Sequence, residues 1–350
     1  MKKMLFVLLV LGFAFTANAA PTLYGKINKE VRMYDEDADW GQANTSMFQD
    51  VQGSPSRFGF KGSEKLGNMT VKYRLEAKWD SSATNTTPIQ MRHAHLSFVD
   101  SWGTLTIGQA FTATAKIGKK LDPLSNTGAD LAGGTLKGNT REMVTANNLA
   151  YLYRSRKDLI KYESPKFMGF QLLTSYDRND VTTRNSNTAH RWEKAIAYGH
   201  DFGAFKLDAW VASVTEHGEQ ASKDDFSMTR LAARFGFGDL TLAVMMDNAE
   251  ETSNADVKTE DARMMLTGKY KMGKNVFAVT YGKHETDLST AGDKTREWSQ
   301  MAAGIAHNYT KNFQFRVTYA AYDYDWEGAA TTVLKTNSAT ILMLGTQLKF

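Results

Sequence analysis

Lys72, Arg74, Glu76 and Lys78 stand two residues apart, and Val71, Tyr73, Leu75, Ala77 and Trp79 alternate with them. Charges at period two share one face of an extended strand, and such a face can order water and ions. It supplies no nucleophile paired with a base and therefore no covalent chemistry. His93 and His95 are also two apart on one strand face, a pair that in principle can hold a metal; the reading adopted is that no metal site exists here. The chain has no cysteine, which excludes disulfides, zinc–thiolate sites and a cysteine nucleophile. Its seven histidines are scattered and propose no catalytic set. The glycines between Gly53 and Gly62 do not make a dinucleotide loop, because the chain after Lys61 continues as a tight turn and a strand instead of a helix.

The elements that position these charges follow a period of two almost throughout. Phe313, Phe315, Val317 and Tyr319 oppose Gln314, Arg316 and Thr318; Leu231, Ala233 and Phe235 oppose Arg230 and Arg234; Leu240, Leu242, Val244 and Met246 repeat the pattern. A soluble sandwich alternates too, so three further features decide. The strand-like segments run to about ten residues, which suits a tilted membrane crossing. Tight connections such as Glu64 to Asn68, Phe237 to Asp239, Met272 to Asn275 and Tyr309 to Asn312 take turns with long polar ones such as Asp247 to Asp261 and His284 to Glu297. Aromatic residues, including Trp79, Trp102, Tyr270, Tyr281, Trp298, Tyr309 and Tyr322, gather near strand ends, where interfacial girdles belong.

Counting hairpins predicts sixteen strands, near 22–33, 56–63, 69–79, 90–99, 103–109, 156–163, 169–177, 191–200, 204–214, 226–236, 239–247, 262–271, 275–284, 297–308, 313–323 and 338–350. Open edges in lipid would leave backbone groups unsatisfied, so the sheet must close on itself. The expected fold is all-β, a closed sixteen-stranded antiparallel transmembrane barrel. A barrel this wide cannot be filled by its own side chains and holds water.

Charge and composition agree. The 350 residues carry 42 Lys and Arg against 38 Asp and Glu. Lys2 and Lys3 precede the apolar stretch Met4 to Phe15, and Ala17-Asn18-Ala19 supplies a small-x-small cleavage pattern. Residues 1–19 therefore read as a secretory signal peptide, too short to span a bilayer, with the barrel occupying 20–350. Losing two lysines leaves the mature chain 40 basic against 38 acidic residues, which is no nucleic-acid footprint.

The ordered set Leu23-Tyr24-Gly25-Lys26, Ser56-Arg57-Phe58-Gly59-Phe60-Lys61-Gly62-Ser63-Glu64-Lys65-Leu66-Gly67, Trp102 to Gly108, Tyr162 to Phe170 and a terminal Phe350 resembles the Gram-negative general porins, trimeric outer-membrane diffusion channels. The likeness covers essentially the whole mature chain. It implies a homotrimer of water-filled pores for small hydrophilic solutes and ions, set among outer-membrane lipid and lipopolysaccharide, with no cofactor. Phe350 resembles the signal read by the barrel-assembly machinery. The third external loop, 110–152 here, would fold inward as a constriction, which accounts for its unusual length.

Carried over residue by residue, the wall cations that match the family are Lys26, Arg57, Arg92 and Arg156, and Lys26 and Arg57 also have the inward parity that alternation requires. Lys61, Lys72, Arg74 and Lys78 share that parity farther from the neck. Gln109 stands where many members carry arginine, implying one wall charge fewer. The loop acids are Asp122, Asp130 and Glu142, against Lys116, Lys119, Lys120, Lys137 and Arg141, so the resemblance implies a weak anion preference. Alternation leaves two choices for the histidines. Either Arg92 points inward and His93 and His95 outward, or Ala94, Leu96 and Phe98 point outward and Arg92 sits at the rim. Rival functions are a substrate-specific channel, then an outer-membrane receptor, adhesin or barrel enzyme; no catalytic set supports the last.

Overall fold

The structure is a computed structural model, and it describes residues 20–36, 46–50, 54–79, 89–127, 129, 131, 156–178, 189–218, 225–252, 258–288, 294–326 and 336–350. The expected signal peptide at 1–19 lies outside them. In chain order the strands are β1 (Thr22–Glu36), β2 (Ser46–Asp50), β3 (Arg57–Leu66), β4 (Met69–Trp79), β5 (Ile89–Asp100), β6 (Gly103–Phe111), β7 (Arg156–Glu163), β8 (Phe170–Arg178) and β9 (Ala189–Asp201). They continue with β10 (Lys206–Gly218), β11 (Asp225–Phe237), β12 (Leu240–Thr252), β13 (Lys258–Met272), β14 (Asn275–Leu288), β15 (Lys294–Asn308), β16 (Phe313–Trp326) and β17 (Thr336–Lys349). One short helix, α1 (Ala115–Leu121), follows β6.

Apart from β2 and β3, which both pair with β1, each strand pairs antiparallel with its sequence neighbours, and β1 pairs with β17, so the sheet is closed. β3 pairs with Thr22–Lys26 of β1 and β2 with Lys29–Met33, so β2 and β3 are two halves of one interrupted strand and the barrel has sixteen. The second strand thus begins at Ser46, ten residues before its sequence-based start. No hydrophobic alternation announces that half. Several other strands extend beyond their expected ends on the long-connection rim, as β12 does to Thr252.

The tight turns lie on the opposite rim. Gly67, Gly238 and Gly273 each open a two-residue connection with φ of 61°, 57° and 58°, the positive value that the first loop residue of a type II′ hairpin needs. That turn matches the right-handed strand twist, which explains why glycine recurs there.

Parity separates the faces cleanly. On β1, Lys26, Asn28, Glu30 and Arg32 are buried inside, while Leu23, Ile27 and Met33 are exposed outside. The outer face carries Leu75, Ile107, Ile160, Ile196, Val211, Leu231, Met246, Val279, Met301 and Val317 open to the surroundings, as lipid contact requires. Trp298 and Tyr322 depart from the expected girdle: both face inward, with rings 6.1 Å apart, and belong to the interior. Each has the parity of its strand's inward set, which nearness to a strand end cannot reveal.

The interior of β9–β17 is unusually apolar, with Trp210, Met245, Met265, Ile341 and Met343 pointing in. Ile117, Leu121, Leu124 and Leu131 cover it. Burying four such side chains contributes roughly 1.5–3 kcal/mol each, enough to hold the segment after β6 inside the barrel.

Candidate functional site

Glu76 on β4 is the centre of a charge cluster on the wall. Its side chain is fully buried and meets Arg57 on β3 at 3.5 Å, Arg74 at 2.5 Å and Arg92 on β5 at 2.8 Å. The Tyr24 hydroxyl donates to the same carboxylate at 2.9 Å and accepts from Arg74 Nε at 2.7 Å. Among the described residues three guanidinium groups share this one carboxylate, and the four side chains together sum to a charge of plus two. Lys26 Nζ donates to Ser54 Oγ at 2.5 Å beside it, and Arg57 reaches the same hydroxyl at 3.1 Å. Lys61 lies over the Tyr24 ring, 5.2 Å from its centroid, nearer the tight-turn rim.

A β-bulge builds the cluster. Glu76 pairs with His93 and Ala77 with Met91, which leaves Arg92 as an extra residue on β5. A bulge turns consecutive side chains toward one face. Arg92 and His93 are both buried, whereas Met91 and Leu96 are exposed. The two sequence-based alternatives are therefore each half right: Arg92 faces inward, and so do His93 and His95, with Ala94, Leu96 and Phe98 outward. His95 Nδ1 lies 3.1 Å from the Gln109 carbonyl oxygen, and the His93 ring meets the Phe111 edge at 4.8 Å. Arg156 stacks over that same Phe111 ring at 4.9 Å. Among the described residues no group of three metal-ligating side chains forms here or elsewhere. Gln109 itself has the parity of the outward Ile107 and pairs with Ala94 and Asp158, so it is not a missing wall charge.

The segment after β6 runs along the opposite side of the interior. Thr114 donates to Glu193 Oε2 through its backbone nitrogen at 2.9 Å and its hydroxyl at 2.7 Å, while Arg191 holds Oε1 at 2.6 Å. Thr267 Oγ1 donates to the Leu121 carbonyl at 2.7 Å, and Gln300 Nε2 donates to that of Ala129 at 2.8 Å. Near β1, Asn28 Nδ2 donates to the Asn126 carbonyl at 3.2 Å and Ser54 Oγ to Asn126 Oδ1 at 2.8 Å. These ties trace a path from β9 round to β1, where Ser54 links Asn126 to Arg57 at the edge of the arginine cluster. Asp122 is buried, and its Oδ1 accepts the Leu124 backbone nitrogen at 2.8 Å, closing the turn after α1. Asp130 and Glu142 lie outside the described residues.

Sequence reasoning named Arg57, Arg74 and Arg92 and set Glu76 on the charged face of its strand, but did not foresee that this carboxylate gathers the three arginines. It also missed the inward pairs on the far wall. Arg230 grips Asp247 through two bonds of 2.7 and 2.6 Å, Arg263 meets Asp261 at 3.0 Å, Arg234 pairs with Asp208, and Arg316 donates to Asn28 Oδ1 at 2.5 Å. Parity placed Arg230, Arg234 and Arg316 inside, and their partners needed cross-strand register; Arg263 was not singled out, and its Asp261 lies two residues away on the same strand.

A closed sixteen-stranded barrel with an apolar exterior, a charged interior and an inward segment defines an outer-membrane channel. The chain belongs to the Gram-negative porin family, whose description matches residues 6–327. The major outer membrane protein P.IB of Neisseria gonorrhoeae is 23% identical over 367 residues, covering 98% of this chain and 99% of that protein. The anion-selective porin from Comamonas acidovorans has the same fold, with a TM-score of 0.72 at 19% identity over 95% of this chain and all of that one (100%). OmpT of Vibrio cholerae in its trimer form aligns with a TM-score of 0.65 at 14% identity, covering 95% of this chain and 100% of that one. The protein is thus a passive diffusion channel of the outer membrane and not an enzyme.

Proposed function

We propose that this porin is a homotrimer whose pores pass small hydrophilic solutes and ions with a weak anion preference. The observation that carries the selectivity is the sharing of Glu76 by Arg57, Arg74 and Arg92 on one wall, while the far-wall arginines Arg230, Arg234 and Arg263 each have an aspartate. A fixed excess of positive charge in a water-filled neck raises local anion concentration and repels cations. Lys26 and Lys61 extend that positive wall, whereas Arg156, in register with Phe111 and in phase with the exposed Ile160, does not share their inward parity. The segment 110–152 serves as the constriction, and the apolar packing of Ile117, Leu121 and Leu124 supports its inward course. Names carried by similar structures, an anion-selective porin and a trimer form, agree with both parts.

Reversal potentials across a planar bilayer in a salt gradient test this reading: the expected value has the sign for anion preference, and cation preference overturns it. Native-state electrophoresis without heating is expected to show a trimer. The mature chain is expected to begin at Ala20 after removal of 1–19, as N-terminal sequencing of the outer-membrane form would read. Phe350 is proposed as the assembly signal, tested by the yield of folded protein after its deletion.

A further inference from the structure

The second strand of the barrel breaks beside the arginine cluster, and the break carries Ser54 into the interior. Asp50 of β2 pairs with Lys29 and Arg57 of β3 with Lys26, so six residues of one strand stand where β1 has only Ile27 and Asn28. Pro55 has no N–H to offer a ladder. Ser54 and Ser56 are both buried, and Ser56 Oγ accepts from the Asn28 backbone nitrogen at 3.0 Å, so a side chain replaces the interrupted ladder there. Extra residues of this kind re-aim side chains and are frequent next to functional sites.

Ser54 is a junction of three groups. Its Oγ accepts from Lys26 Nζ at 2.5 Å and from Arg57 Nη2 at 3.1 Å, and it donates to Asn126 Oδ1 at 2.8 Å. An ammonium and a guanidinium can only donate, so both lone pairs of the hydroxyl are committed to the wall and its one proton must go to the inward segment. Two cations on the oxygen also polarise the O–H and strengthen that donation. Asn28 adds a second hold of equally forced polarity. Its Oδ1 accepts from Arg316 Nη2 at 2.5 Å, which turns Nδ2 toward the carbonyl oxygens of Ser54 at 2.8 Å and Asn126 at 3.2 Å. Asn126 is presented by a closed turn, in which Thr127 N donates to the Leu124 carbonyl at 2.9 Å and Leu124 N donates to Asp122 Oδ1 at 2.8 Å.

We infer that Ser54 is a positioning residue for selectivity: an uncharged side chain that couples the stance of the inward segment to the cations of the wall. The inference rests on reading 110–152 as the constriction and the wall cations as the source of selectivity. The Ser54–Asn126 contact closes the seam between the segment and β1, and leaves solutes the side on which Arg57, Arg74 and Arg92 stand. Loss of the hydroxyl takes an acceptor from Lys26 and Arg57 and the donor from Asn126. The seam then opens, the neck widens, and water and salt screen the fixed charge more fully.

Recordings of the full-length protein in planar bilayers test this. Ser54→Ala alters no formal charge. It is expected to raise the fraction of time spent off the main open level about fivefold, the worth of one ordinary hydrogen bond, and to move the reversal potential toward zero. Ser54→Thr keeps the hydroxyl and is expected to restore both. Asn126→Ala breaks the same contact from the segment side without touching the barrel wall, so it decides the matter even if Ser54→Ala does not fold. The double change is expected to match either single change instead of summing them. Wild-type records from both single variants overturn the inference, as do additive effects in the double variant or a Ser54→Thr channel as disturbed as Ser54→Ala. The sign of the wild-type potential tests anion preference alone. A shift toward zero on losing Ser54 is expected for either sign, and the open-level fraction decides where that potential is itself near zero, so the two readings fail separately.

Discussion

Phe350 and Gly25 exchange both of their backbone hydrogen bonds, at 2.9 and 3.1 Å, and so fasten the end of the chain to its first strand. A Cβ on Gly25 would fall on the Phe350 ring and 2.7 Å from the Arg57 carbonyl oxygen. Gly25→Val should therefore strain the seam. We expect a loss of about 1–3 kcal/mol, the usual range for overpacking, read as a lower midpoint in urea unfolding from lipid vesicles. A midpoint equal to wild type would mean that the seam yields without cost.

Glu76→Gln leaves Arg57, Arg74 and Arg92 without their common counter-charge. The reversal potential should move further toward anion preference, because the local charge rises by one. Removing one partner of a buried ionic group is also expected to destabilise by about 3–5 kcal/mol. An unchanged reversal potential would place the Glu76 cluster outside the conducting path.

Arg230 and Asp247 on the far wall form a self-neutralising buried pair. Asp247→Asn should destabilise by about 3–5 kcal/mol with little effect on selectivity, and the double change Arg230→Met with Asp247→Leu should recover most of that loss. Selectivity altered as strongly as in Glu76→Gln would show that the two walls contribute equally.

The hold of Glu193 on Thr114 fixes the start of the inward segment. Glu193→Ala removes the acceptor for two donors and the partner of Arg191, a loss of about 1–3 kcal/mol for each donor left unsatisfied. Single-channel records should then show a noisier open level, while Glu193→Gln, which can still accept from Thr114, should be quieter than Glu193→Ala. Identical noise in both variants would refute this anchoring role.

Much of this architecture was legible from alternation. The tight turns at Gly67, Gly238 and Gly273, the inward faces of Arg74, Arg230 and Arg316, and the outward faces of Leu231 and Val317 need only a period of two and a glycine at the bend. What parity could not show was any interruption of itself. β2 has no long alternating run and escaped notice, and Trp298 and Tyr322 were assigned to the girdle from nearness to strand ends.

The amino-acid order by itself determined that the chain is a closed, lipid-facing barrel with charges inside, because backbone satisfaction in a membrane allows a two-faced strand pattern hardly any other outcome. Only the tertiary structure decided which charges meet. One extra residue at Arg92 turns His93 inward beside it, and cross-strand register brings Arg57 and Arg92 from the neighbouring strands onto Glu76, where Arg74 of its own strand already lies. Such encounters depend on the stagger between neighbouring strands, and stagger is a property of the assembled sheet that no single strand carries.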